Sequence, residues 1–194
     1  MSNSTFSISD PAMKNLAIAK LGATQLLGKG DLKLTSPAFA EGEELDPCFT
    51  ADEEDAVAPP LEWTQPPVKT EELVVIVEDP DGPGGDPFCH WSVWGLAPQQ
   101  GKLLEGEVPP RVGKNAFGNS EWLLPQPPED DEAHTYVFQL FALDLPLVVM
   151  PGIDRSALID AMAGHVLSTS VLTATYKRQP RDEEDGWDDD MDLE

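Results

Sequence analysis

Residues 73–77, Leu-Val-Val-Ile-Val, form an unbroken apolar run weighted toward β-branched side chains. A strand with one wet face alternates apolar and polar residues, whereas a continuous run marks a strand buried on both faces. The run stops at Glu78-Asp79, and Pro80 restricts Asp79 to an extended backbone, so the Asp79 carboxylate is expected at a fixed strand end. After a Gly/Pro-rich turn, residues 89–96 alternate, which puts His90, Ser92 and Trp94 on one face. Residues 134–143 alternate again and place His134, Tyr136, Phe138 and Leu140 together. Two histidines, a tyrosine and a carboxylate on neighbouring strands form a candidate site for a small anion. Imidazole N–H, phenol O–H and backbone N–H groups can all donate to its oxygens. Trp91, Trp94, Phe138 and Phe141 read as core rather than as stacking platforms.

The order of the short motifs carries a further message. Asp79-Pro80-Asp81-x-Pro83 is followed by His90-Trp91, by Gly113-Lys114-Asn115-Ala116-Phe117-Gly118, by Pro125-Gln126-Pro127-Pro128 and by His134-x-Tyr136. Leu34-Thr35-Ser36-Pro37-Ala38-Phe39 and Pro59-Pro60-Leu61-Glu62-Trp63 precede this set. Gly164-His165-Val166-Leu167 and Tyr176-Lys177-Arg178 follow it. Taken together, over about residues 32–178, the pattern resembles the phosphatidylethanolamine-binding protein (PEBP) family, and most of all its bacterial and archaeal YbhB/YbcL, or Raf kinase inhibitor-like, branch.

That resemblance implies a mainly β fold, with a large antiparallel sheet packed on a smaller sheet and helices at the periphery. It also implies an anion pocket lined by Asp79, His90, His134 and Tyr136, with Asp81 supporting the loop and Pro125 in the ligand-binding set. His90 and His134 would donate to the ligand, and Tyr136 would close the pocket. Asp79 would orient His90 or His134 and favour its protonated form, or accept from an ammonium group on the ligand. Leu124 stands where family members commonly have glycine, which would reshape the rim. The ligand so implied is a phosphate-bearing small molecule, a lipid head group or a phosphorylated side chain. A kinase or other enzyme is an expected protein partner, and a homodimer is expected by the same resemblance. No cofactor is implied. Two other readings stand beside this one: a hydrolase with His90 or His134 as general base and Asp79 orienting it, and a protease-inhibitor or scaffold protein acting through its surface.

Charge and composition bound the rest. The net charge of −24 argues against nonspecific binding to nucleic acid or an anionic membrane, both of which need basic patches. Residues 181–194 hold nine of the acids and one arginine, which leaves about −16 on the remainder. The chain is accordingly divided into an N-terminal extension at 1–30, a PEBP-like domain at 31–180 and a disordered acidic tail at 181–194. Within the extension, Asp10-Pro11 is expected to start a short helix running to about Leu27. A second helix is expected over 154–162, with Leu158, Ile159, Met162 and Val166 on one side. Residues 97–132 form a long Gly/Pro-rich excursion, of the kind that is usually functional or disordered. No secretory leader or membrane-spanning run is recognised, and only Cys48 and Cys89 occur, so a cytoplasmic location is expected. Cys89 adjoins the site as a buried reduced thiol or a reactive one. Asp79, His90 and His134 have the chemistry of a two-histidine, one-carboxylate metal set, yet no short-range ligand pair supports it.

Overall fold

The computed structural model describes residues 10–180. The acidic segment 181–194, expected to be disordered, lies outside the described residues, as do residues 1–9. The apolar run at 73–77 is the middle of a strand, Glu72–Asp79, whose eight residues are all buried. Its two faces meet two separate cores. Leu73, Val75 and Val77 face one, and Val74 and Ile76 the other.

In chain order the strands are β1 (Leu34–Thr35), β2 (Glu43–Glu44), β3 (Leu61–Trp63), β4 (Glu72–Asp79), β5 (Phe88–Leu96), β6 (Gly101–Leu103), β7 (Arg111–Val112), β8 (His134–Leu143) and β9 (Val166–Tyr176). Six of them form a sheet in the order β2-β9-β8-β4-β5-β7, and β1-β3-β6 form a smaller one. Every pairing in the large sheet is antiparallel except that of β2 with β9, which is parallel. The mainly β architecture of one large sheet on one small sheet is thus present. Leu34, Leu61, Trp63 and Leu103 of the small sheet close over Phe138, Leu140 and Trp91 of the large one. Trp94 and Phe141 lie in the second core, on the far face of the large sheet.

That far face is covered by the helices. The helix expected at 154–162 is α2 (Arg155–Met162), capped by Asp154, whose carboxylate accepts from the Ala157 N–H at 2.8 Å. Leu158, Ile159 and Met162 are its buried side, as the spacing predicts, whereas Val166 is not on the helix but opens β9. The N-terminal segment differs from expectation. Asp10 does cap the first turn, accepting from the Ala12 N–H at 3.0 Å. The chain then breaks into a 3-10 turn (Pro11–Asn15), α1 (Ala17–Lys20) and a second 3-10 turn (Thr24–Leu26) instead of one helix to Leu27.

The break has a physical cause in the sheet. The Ala17 N–H donates to Glu78 at 2.8 Å and the Ile18 N–H to Gln139 at 2.9 Å, so two amides are satisfied by sheet side chains rather than by a preceding helical turn. Leu16, Ala17 and Ile18 have no solvent exposure, so the segment is part of the second core rather than an appendage.

Candidate functional site

The site lies where β4 and β8 meet, at the mouth of the long excursion between β5 and β8. Asp79 is the last residue of β4 and His134 the first of β8. The turn after Asp79 is tied down twice. One Asp79 oxygen accepts from the Asp81 N–H at 2.7 Å, and an Asp81 oxygen accepts from the Thr135 N–H at 2.8 Å. Asp81 therefore clamps the turn to the start of β8. Gly82 permits the closeness of this turn, because a Cβ there would stand 2.6 Å from Phe88 Cβ.

Strict alternation along β5 would turn His90 to the far face with Ser92 and Trp94. The structure corrects this. Val77 pairs with Trp91, but Glu78 pairs with Cys89, so β5 carries one extra residue at His90. The bulge turns His90 to the same side as Trp91, where it meets the Tyr136 ring edge-on at 5.1 Å. Trp94 stays in the far core. Phe88 and Trp122 complete an aromatic collar around His90, with centroids at 5.5 and 6.1 Å.

The two histidines are electrically opposite. His90 Nδ1 lies 2.6 Å from the Leu123 carbonyl oxygen, which can only accept, so that nitrogen carries the proton and Nε2 holds a lone pair. Burial lowers the His90 pKa to about 4, so the ring is neutral near pH 7. As a neutral ring whose N–H is committed to Leu123, His90 presents an acceptor to the cavity, not the donor expected for it. His134 Nδ1 meets Asp79 at 2.7 Å and Nε2 meets Asp131 at 3.1 Å. Two carboxylates can be satisfied together only by an imidazolium with both N–H groups in place. Burial opposes that charge, but the hydrogen bond and charge of Asp79, then Asp131, outweigh it and hold the His134 pKa above its ordinary value. Asp79 thus orients His134, which resolves the choice between the two histidines. Burial raises the Asp79 carboxyl, and His134 works against that rise. The Tyr136 phenol is held above its ordinary pKa by burial and by the charges of Asp79 and Asp81, so it remains an O–H donor.

These groups sit at the foot of a cavity of about 940 Å³, within the range that holds a small organic ligand. Aromatic and aliphatic side chains form most of its wall, among them Phe88, Trp91, Phe117, Trp122 and Leu124. No lysine or arginine lines it, so His134 is the one cationic group among the lining residues. Asp79, Asp81, His90, His134 and Tyr136 are all brought together there. Pro125 is not: its neighbours Leu124, Gln126, Pro127 and Pro128 line the cavity, while Pro125 is buried beneath the rim and its carbonyl accepts from the Ala51 N–H at 3.0 Å.

The thiol question also has a structural answer. Burial pushes the Cys89 pKa up to about 12, which makes it an inert buried thiol. Among the described residues no group of three His, Cys, Asp or Glu side chains has the arrangement of a metal site. Three contributors were not singled out by sequence reasoning. Asp131 reaches His134 from a loop with no periodicity. Trp122 stacks on Phe138 and donates its indole N–H to the Phe49 carbonyl at 3.1 Å. Asn115 is buried and accepts from the Phe117 and Asn119 N–H groups at 3.0 and 3.1 Å, which fixes the turn that carries Phe117 to the rim. The Gly113–Gly118 motif contained that signal, since an asparagine between glycines is a turn organiser.

Comparison with known proteins bears on the fold as a whole. The family model described as phosphatidylethanolamine-binding protein matches residues 35–177. A UPF0098 protein from Pyrococcus horikoshii is 33% identical over 186 residues, covering 87% of this chain and 92% of that protein. Another from Chlamydia trachomatis is 34% identical over 152 residues, covering 76% of this chain and 99% of that protein. Among solved structures, a PEBP homologue from Chlamydia trachomatis, CT736, superposes with a TM-score of 0.72 at 33% identity, over 76% of this chain and 98% of that one. Escherichia coli YbcL, described as a member of the mammalian PEBP family, gives a TM-score of 0.67 at 23% identity, over 76% of this chain and 99% of that one; it supports the fold alone.

Proposed function

Because the chain belongs to the phosphatidylethanolamine-binding protein family, we propose that its cavity binds the phosphate, or a similarly compact anion, of a small amphiphilic molecule without transforming it. The observation that carries this reading is the His134 imidazolium at the foot of an aromatic cavity, fixed by a 2.7 Å hydrogen bond to Asp79. A charge-assisted N–H to an anionic oxygen is the strong contact in such a site, and Tyr136 adds a neutral donor beside it. The apolar walls suit the organic part of the ligand. A phosphorylated metabolite, a lipid head group and a phosphorylated side chain share this chemistry. Any effect of the protein on a kinase or other enzyme would run through occupancy of the same cavity.

The protonation of the histidines favours binding over hydrolysis. A general base near neutral pH needs a free lone pair and a pKa close to the working pH. His134 is charged with both N–H groups engaged, and His90 has its basicity lowered to about 4.

Calorimetric titration with inorganic phosphate, O-phosphoethanolamine and a short-chain alkyl phosphate tests the reading. Binding is expected at pH 6, weaker at pH 8, tighter for the alkyl phosphate, and absent in His134→Ala. Equal binding by His134→Ala, or none by the wild type at either pH, would refute it.

A further inference from the structure

His134 has only two N–H groups, and both are occupied inside this chain. The Asp79 contact is structural: Asp79 is almost fully buried and sits on the rigid end of β4. The Asp131 contact differs in kind. Its distance is longer, 3.1 Å against 2.7 Å, and about half of the Asp131 side chain is exposed to solvent. Asp131 lies three residues before His134, in a loop outside the strand, so it can leave the ring by side-chain rotation. Of its neighbours, Glu129 lies near Arg178 at 3.8 Å, and the exposed Glu132 makes only a long surface contact with Lys177, at 3.6 Å. The groups facing His134 are Asp79 and Asp81 from the end of β4 and its turn, His90 from β5, Tyr136 from β8, and Asp131 itself. None but His134 is cationic, so an anion entering the cavity has no better partner than the His134 Nε2–H.

We propose that Asp131 is a tethered competitor for the anion site: its carboxylate occupies the His134 Nε2–H that a bound anion must take, so ligand enters only by displacing Asp131. The proposal rests on the anion-binding reading above and adds the residue that sets its selectivity. A carboxylate on a three-residue tether acts at an effective concentration of millimolar order or more. Simple monocarboxylates therefore compete poorly with it. Ligands that bring a second negative charge, several acceptor oxygens or an apolar body that binds the collar displace it. The affinity of any such ligand is reduced by the fraction of time the site is free of Asp131.

The test pairs two readouts on the wild type, Asp131→Asn and Glu132→Gln. The last removes a charge from the same loop without touching His134. One readout is calorimetric titration with inorganic phosphate at pH 6. The other is the NMR titration of His134 without ligand. Asp131→Asn is expected to bind phosphate about tenfold more tightly, the gain expected if Asp131 holds the site about nine-tenths of the time, and to lower the His134 pKa. Glu132→Gln is expected to change neither by more than about twofold in affinity, the scale of one screened surface charge.

A His134 pKa unmoved by Asp131→Asn would overturn the proposal by showing that Asp131 does not engage the ring, with the anion reading intact if the wild type binds. A lowered pKa with unchanged or weaker phosphate binding would overturn the competition itself. Equal gains from Asp131→Asn and Glu132→Gln would reduce the effect to net charge, and overturn it too. No phosphate binding by any of the three proteins would refute the anion reading and the proposal with it.

Discussion

Replacing Glu78 with Gln should cost the fold about 3 kcal/mol while sparing the pocket. Glu78 follows the apolar run of β4 and has no solvent exposure. One carboxylate oxygen accepts from the Ala17 N–H at 2.8 Å and from Gln139 Nε2 at 2.7 Å, and the other is paired with Arg155 Nε. Arg155 in turn donates to the Asn15 carbonyl at 2.6 Å. One side chain thus joins the N-terminal segment, α2 and two strands. A glutamine can offer its oxygen to one side only. If it serves Ala17 and Gln139, its NH2 points at the guanidinium, which loses its charge partner. Breaking a buried pair by removing one member costs about 3–5 kcal/mol. The lower end applies here, because the Arg155 side chain is one-fifth exposed and can turn partly to water.

Urea unfolding measures the loss directly. In a domain of this size each kcal/mol is worth about 2–4 °C, so calorimetry should show a midpoint about 6–12 °C lower. In the double variant Glu78→Gln/Arg155→Met no guanidinium is stranded, and about half of the loss should return. Native-state hydrogen exchange should show the Ala17 and Ile18 amides opening faster, because the loss falls on the segment they belong to. A cost below about 1 kcal/mol, or additive single and double variants, would refute the view that Glu78 is the joint between these elements.

Four further outcomes follow from the same structure. His134 has a raised pKa in the folded state, so its stabilising contribution is complete below its unfolded value near 6.5 and is lost as pH rises through the higher folded value; urea unfolding of wild type and His134→Gln between pH 6 and 9 should converge as pH rises. His90 runs the other way: with a folded pKa of about 4 it withdraws about 3 kcal/mol of stability as pH falls from 6.5 to 4, and His90→Gln should flatten that limb of the unfolding profile. Gly113→Ala would place a Cβ 2.3 Å from Ser92 Oγ and 2.8 Å from the Ile153 carbonyl oxygen, and the second of these is backbone; a loss of about 2–3 kcal/mol is expected in thermal unfolding. Asn115→Ala removes the acceptor that fixes the Phe117 turn, and should weaken binding of an alkyl phosphate more than that of inorganic phosphate in parallel titrations, because Phe117 belongs to the apolar rim.

The parts of this fold written in local pattern were legible from sequence. The run at 73–77 is buried on both faces because helices cover one side of the sheet and the small sheet covers the other, and a continuous apolar strand reports that directly. β8 has the range the alternation predicts, and α2 has the buried side its spacing predicts. The features that escaped depend on a partner elsewhere in the chain. The bulge that redirects His90 exists only in the pairing of β5 with β4, so no window along β5 contains it. The N-terminal segment has the capping and composition of a helix, but Glu78 and Gln139, more than 60 residues away, claim two of its amides. At the site, the residue types were readable and their electrical state was not. Whether a histidine is charged depends on what touches each nitrogen, and Leu123, Asp79 and Asp131 come from three different segments.

The large sheet ends on both sides in very short strands. β2 and β7 hold two residues each, and β2 shows Glu43 and Glu44 to solvent. A long open edge is a template on which foreign peptides or other copies of a chain can polymerise by adding strands. Here the template is too short to seed a ladder, and on one side it repels any acidic newcomer. Among the described residues, each edge strand of the large sheet therefore offers only two residues on which a new strand could add.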